Sequence, residues 1–290
     1  MRIVTFTESQ RTRLGLLQDN QITDLSAHNE NLPTEMTKLL SAGPDALAAV
    51  SQITPTADFN IADVRLESPV LRPGKILAVG LNYKAHAEES GMELPEHPIV
   101  FTKQPTSING PYDPIHWSAD GKMLDYEGEL AIIIGKRCRR VPKDKAHSVI
   151  AGFAVNNDVS VRNWQMRGKP AQFTMGKSWD THCPLGPALV SADEVDPHTL
   201  QLRTLVNGEV RQNTNTDDLI FNCFDIIAYL STAFTLEPGD VIVTGTPSGV
   251  GMAMKPPQAL SVGDVVRVEI EGLGHIENAV IEEPAEMTTY

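Results

Sequence analysis

The 290-residue chain is poor in cysteine, has fewer cations than anions and contains no long apolar run. Its three cysteines, Cys138, Cys183 and Cys223, are far apart and odd in number, with neither a C-x-x-C spacing nor a histidine-linked zinc pattern. That excludes a disulfide framework and a thiolate zinc site, and predicts ordinary thiols in a reducing compartment. With 24 Lys+Arg against 37 Asp+Glu the net charge is −13, which opposes non-specific attraction to nucleic acid or anionic membranes. An anionic substrate would need a local cationic pocket. No stretch approaches the roughly 20 apolar residues of a membrane span, and Met1 to Glu8 reaches a glutamate where a secretory signal has its apolar core. The expectation is a soluble cytoplasmic protein that binds neither nucleic acid nor membrane. There is no internal repeat and no low-complexity tract. The glycine-rich segment Gly245 to Gly251 lacks the Gly-Lys-Ser/Thr ending of a phosphate loop, and Ser248 is not framed as a hydrolase elbow.

The length suffices for one large domain, or for a small unit joined to a larger one. Residues 1–70 read as a small unit: strands at Arg2 to Phe6 and Arg13 to Leu17, a turn back through Asp19-Asn20, then an apolar-periodic helix from Met36 to Ser51. Ser68 to Gly74 is a Pro/Gly-punctuated linker, and residues 71–290 form the larger unit. There, short β-rich runs at 76–79, 99–102, 130–134, 149–155, 202–206, 241–244 and 265–270 are bounded by Gly, Pro or Asp. Asn207-Gly208 predicts a tight hairpin, and 217–234 carries one long amphipathic helix. Many strands with few helices argue against regular βαβ alternation.

What the chain does have is a set of carboxylates at its centre: Glu127-Gly128-Glu129 opening a strand, and Asp158 after another. A strand repeats every second residue, so Glu127 and Glu129 share a face and either sit in solvent or share a cation. Three oxygen ligands suit a hard divalent ion such as Mg²⁺ or Mn²⁺. The other reading is a wet strand face and a turn. Asn82 to Gly91 predicts a short helix opened by an asparagine cap and closed by glycine. It makes His86 and Glu89 neighbours at i, i+3, the pairing that turns a histidine into an oriented general base. A chance pair on an exposed helix is the alternative.

Lys103 ends a strand, Arg162 and Gln165 follow Asp158, and Lys177 lies in a loop rich in small residues. Singly these are surface groups; collectively they could offset the charge of three carboxylates around a divalent ion. The loop at Gly245 to Gly251 could turn backbone N–H groups and the Thr246 hydroxyl toward a substrate, or be a purely structural turn.

Six strings in order, Gly80-Leu81-Asn82-Tyr83 with His86, Phe101-Thr102-Lys103, Asp125 to Leu130, Asn157 to Arg162, Gly176 to Thr181 and Gly245 to Gly251, closely resemble the fumarylacetoacetate hydrolase family across Leu71 to Glu283. Trp164-Gln165-Met166 and Cys183 to Pro187 are most similar to its domain-containing protein 2 branch and bacterial relatives. The resemblance implies an α+β, β-rich fold with a mixed β-roll core and a small N-terminal α/β subdomain, assembled as a homodimer. It implies Mg²⁺ or Mn²⁺ on Glu127, Glu129 and Asp158, and His86 with Glu89 as a water-activating dyad. Catalytic Lys177 and substrate contacts at Lys103, Arg162, Gln165 and Thr246 follow from the same match.

The substrates so implied are small anionic 2-oxo acids reacting through an enolate that the metal stabilises. Hydrolysis of a C–C bond in an acylpyruvate-type substrate is the leading expectation, with keto-enol tautomerisation or decarboxylation of oxaloacetate as the alternative. A fold that keeps the metal site without the chemistry would dispense with His86, Glu89 and Lys177, yet all three are present.

Overall fold

Strand Gly128–Ile134 shows no polar alternation after Glu129 because both of its faces are buried. Leu130, Ile132 and Ile134 join one core with Ile226, Ile227, Val268 and Ile270. Ala131 and Ile133 join a second with Leu39, Leu40 and Val50. The two-residue repeat thus divides one apolar run between two cores. The structure is a computed structural model and describes residues 1–287, so the end of the expected 71–290 unit lies outside the described residues.

Among the described residues the main sheet has 12 strands. Its path runs Phe59–Asn60, Gln21–Asp24, Arg11–Gln18, Arg2–Glu8, Cys183–Ser191, Ile150–Asn157, Gly128–Ile134, Val241–Val243, Ile76–Gly80 and Ile99–Lys103. Val241–Val243 pairs with Ile76–Gly80 in parallel, whereas its other neighbour Gly128–Ile134 is antiparallel. A five-stranded sheet built on Gln201–Val206, Glu209–Asn215, Val265–Ile270 and Gly274–Glu282, with Ile115–Trp117 at its edge, packs over the first core. Helix Cys223–Ala233 covers the rest of that core. This is the α+β, β-rich arrangement expected, and no helix is long and apolar enough to cross a membrane among the described residues.

Each strand expected in the larger unit is present. Several local expectations are corrected. The helix expected over 36–51 is two helices, Met36–Ser41 and Pro44–Ser51, because Gly43 at φ 87° and Pro44 break it. The helix expected over 217–234 begins only at Cys223, where Asn222 and Asp225 form a capping box. Strand Cys183–Ser191, which contains Pro184 and Pro187, was not among the expected strands. Residues 1–70 are joined to the rest of the chain where Arg2–Glu8 pairs with Cys183–Ser191 and where helices 36–41 and 44–51 share a core with Ala131 and Val243.

Candidate metal centre and active site

Two adjacent strand ends bring the carboxylates together. Gly128 pairs with Asn157 and Glu129 with Asn156, so Glu127 and Asp158, each one residue outside this ladder, lie opposite each other. Asp158 N–H donates to the Glu127 carbonyl at 2.8 Å, and Glu127 N–H to Asn157 Oδ1 at 2.9 Å. Oxygens of Glu127, Glu129 and Asp158 lie within 4.8 Å of one another, and all three residues are buried. A wet strand face is therefore the reading that fails.

Cations surround this cluster. Lys177 Nζ bonds Glu127 Oε2 and Asp158 Oδ2, each at 2.7 Å, and Ser160 Oγ at 2.9 Å. Lys103 Nζ reaches Asp158 Oδ1 at 2.6 Å and the Lys177 carbonyl. Arg162 Nη2 lies 2.7 Å from Glu127 Oε1 and 2.8 Å from Asp125 Oδ2. Lys177 sits at the end of a short helix, Phe173–Lys177, rather than in the expected loop. Gly176 makes that approach possible, since a Cβ there would meet the Gln165 backbone at 2.5 Å.

The electrostatics separate the two glutamates. Burial opposes the charge on Glu127, but Lys177 and Arg162 outweigh it and hold its pKa down at about 2. Glu129 has no such partner: burial first, then the charges of Asp158 and Glu127, push its pKa well above the usual value. Among the described residues it forms no ion pair; its carboxylate accepts the Gly245 N–H at 2.7 Å. An all-oxygen donor set with one uncompensated, desolvated carboxylate fits a hard divalent cation, which would remove the repulsion.

A cleft of about 160 Å³ opens onto these groups, lined by His86, Glu127, Glu129, Arg162, Gln165, Lys177 and Thr246 with apolar Met92, Ile99, Phe101 and Phe173. Asp158, Lys103 and Glu89 stand behind this lining. His86 Nδ1 lies 3.3 Å from Glu89 Oε2, on helix Lys84–Glu89. Asn82, expected as the cap of that helix, does not cap it. Its side chain donates instead to the Phe221 and Thr244 carbonyls and accepts from Phe221 N–H, tying the segment to strand Val241–Val243. Gln165 Oε1 accepts from Arg162 Nη1 at 3.0 Å, which leaves its amide N–H donors for a ligand.

The glycine-rich loop is neither a phosphate cradle nor a bare turn. Its N–H groups meet three carboxylates: Gly245 on Glu129, Gly249 on Glu89 at 3.0 Å, and Gly251 on Asp125 at 2.8 Å. Thr246 Oγ1 donates to the Gly128 carbonyl and accepts from Gln212 Nε2. Gln212 also takes the Gly128 N–H on its Oε1 at 3.0 Å. Sequence reasoning missed Gln212, Ser160 and Asp125 as parts of the site. Asp125 stands two residues before Glu127 and had that signal; Gln212, on the hairpin of the second sheet, had none.

The family described as fumarylacetoacetate (FAA) hydrolase, C-terminal, matches residues 75–281. The chain belongs to the fumarylacetoacetate hydrolase family. It is 42% identical over 97% of its length to the mitochondrial oxaloacetate tautomerase of Xenopus laevis, covering 90% of that protein. Among solved structures, the fumarylacetoacetate hydrolase of psychrophilic Exiguobacterium antarcticum superposes with a TM-score of 0.87 at 38% identity, over 98% of this chain and all of that one. The maleylpyruvate hydrolase of Sphingobium sp. SYK-6, solved with manganese(II) and pyruvate, gives 0.79 at 32% identity with the same coverage. The fumarylacetoacetate hydrolase fold thus carries tautomerase and hydrolase relatives alike. This family is one of enzymes, and the buried triad here suits a divalent metal.

Proposed function

We propose that the protein is a divalent-cation-dependent oxaloacetate keto-enol tautomerase. The observation that carries this reading is the charge around the small cleft. Glu127, Glu129 and Asp158 face Arg162, Lys103 and Lys177, three charges against three, so that a bound divalent cation makes the cluster net positive. A dianionic substrate is then attracted only to the metal-loaded site. The cleft is about half the roughly 300 Å³ at the lower end of sites for drug-sized ligands, which suits a four-carbon acid. The Xenopus relative is consistent with that choice.

Mg²⁺ or Mn²⁺ held by Glu127, Glu129 and Asp158 would supply Lewis-acid stabilisation of negative charge at the 2-oxo oxygen. His86, its Nδ1 turned to Glu89, presents Nε2 as the base that takes a proton from C3 while the 2-oxo oxygen gains one in forming the enol, and that delivers a proton to C3 in the reverse direction. Glu89 is itself held by Gly249 N–H, so the imidazole is oriented by a fixed carboxylate. Lys177 keeps its ammonium between Glu127 and Asp158, hydrogen-bonded to both. Gln165 offers its free N–H donors to the distal carboxylate. Met92, Ile99, Phe101 and Phe173 exclude water from the carbanionic centre.

C–C hydrolysis of a short acylpyruvate is the second reading, favoured by the apolar side of the same cleft, which would take an acyl tail, and by the Sphingobium relative. The experiment follows enol absorbance and pyruvate together, with Mg²⁺ or Mn²⁺ and then with chelator, on oxaloacetate and acetylpyruvate. Chelator-sensitive loss of enol without pyruvate supports the tautomerase. Pyruvate from acetylpyruvate replaces it with the hydrolase, and pyruvate from oxaloacetate with the decarboxylase. We also propose a homodimer in the cytoplasm, the assembly and compartment expected from the family resemblance and the three free thiols.

A further inference from the structure

Asp125 is a buried carboxylate for which the proposed chemistry has no use. It touches neither the cleft nor the three candidate ligands, yet its hydrogen-bonding capacity is filled. Oδ1 accepts from Tyr126 N–H at 2.9 Å and Gly251 N–H at 2.8 Å. Oδ2 accepts from Met252 N–H at 3.0 Å and from the Arg162 fork, Nε at 2.9 Å and Nη2 at 2.8 Å. Arg162 is almost wholly buried and divides its guanidinium three ways: Nε and Nη2 to Asp125, Nη2 to Glu127 Oε1 at 2.7 Å, Nη1 to Gln165.

A buried guanidinium needs anionic partners along its whole fork. Were Asp125 absent, Arg162 would be left with Glu127 alone. Glu127 Oε2 is already taken by Lys177, so a tighter hold on Oε1 would withdraw Glu127 from a cation. We propose that Asp125 is a positioning residue for the metal centre: by holding Arg162 it keeps the guanidinium from capturing Glu127, and so sets the affinity of the three-carboxylate site for a divalent cation. The inference rests on the reading of Glu127, Glu129 and Asp158 as cation ligands. Asp125 acts through Arg162, not as a ligand and not as a remote charge.

Asp125→Asn keeps the shape but removes the anion and turns an NH₂ toward either the loop amides or Arg162, so in both orientations the charge-assisted hold on the fork is lost. The test is Mn²⁺ titration of the purified full chain, followed by the paramagnetic signal of free Mn²⁺, for the wild type, Asp125→Asn, Arg162→Met and the double variant. Asp125→Asn is expected to weaken Mn²⁺ binding by about tenfold or more, within the coupling typical of residues in one network. In the Arg162→Met background the same substitution is expected to change it by less than about twofold, since the group it restrains is gone. Equal losses in both backgrounds would make Asp125 a remote charge and overturn the inference, as would unchanged affinity in Asp125→Asn. If Asp125→Asn does not fold, Arg162→Lys, which keeps the charge and loses the fork, carries the test, and an unchanged Mn²⁺ affinity overturns it. A wild type that binds no Mn²⁺ refutes the ligand reading instead, so the two failures are distinguishable.

Discussion

Two histidines differ in burial and in partners, His86 half-buried at the cleft and His182 wholly buried, and different behaviour is expected of each. His86 borders the cleft and leans on Glu89, so His86→Ala is expected to lower the rate of the proposed tautomerisation by about 10²- to 10⁴-fold while Mn²⁺ affinity stays within twofold or so, compared by enol absorbance and titration. His182 is buried against Trp179, with Nε2 on the His116 carbonyl at 2.9 Å. Burial, helped by the charge of Lys103, lowers its pKa from 6.5 to about 3. The unfolded chain therefore binds a proton that the folded protein refuses. The stability that comes from keeping this ring neutral is complete above pH 6.5 and is lost as pH falls toward 3, by up to about 1.4 kcal/mol per pH unit. From pH 7 to pH 5 the unfolding free energy measured by urea titration should fall about 2 kcal/mol further for the wild type than for His182→Gln; equal falls would refute this. The sequence showed His86 through its i, i+3 neighbour, whereas nothing local marks His182, whose environment is built from Trp179, His116 and Lys103.

At the scale of elements, the loop after strand Val241–Val243 acts by its backbone. Gly249 has φ 99°, and a Cβ there would meet the Arg211 carbonyl oxygen at 2.0 Å. Gly249→Ala is expected to cost about 2–4 kcal/mol, from the left-handed conformation and the clash together, read by chemical denaturation. It should also lower turnover, because the N–H that holds Glu89 moves. The strands of the larger unit were legible in the sequence because β-branched runs bounded by Gly, Pro or Asp report backbone conformation directly. Strand Cys183–Ser191 was not, since the sheet tolerates Pro184 and Pro187 where irregular pairing with Ile150–Asn157 leaves room. Helix Lys84–Glu89 was legible as a helix, but its capping residue was not: Asn82 finds better partners in Phe221 and Thr244, far along the chain.

Taken as a whole, the molecule holds an electrostatic conflict at its centre that a bound cation would relieve. Saturating Mg²⁺ or Mn²⁺ should therefore raise Tm, with a gain of about 2.7 kcal/mol at a hundred times Kd. Glu129→Gln should raise the stability of the metal-free protein, by relieving its repulsion with Asp158 and Glu127, and abolish the cation-induced gain. A Tm indifferent to cation in the wild type would count against the site. Sedimentation should find a species of twice the 31.6 kDa chain mass if the homodimer holds. The sequence by itself determined the shared face of Glu127 and Glu129, the His86–Glu89 pairing and the β-rich character, because each follows from spacing along a few residues of strand or helix, whereas Asp158 joined the two glutamates only through the family resemblance. Only the tertiary structure decided which groups serve those residues. Gly245 reaches Glu129 across 116 positions and Gly249 reaches Glu89 across 160, while Arg162 is divided between Asp125 and Glu127. Such contacts depend on how sheets stack and loops return, and that is set by burial of two shared cores rather than by any local pattern.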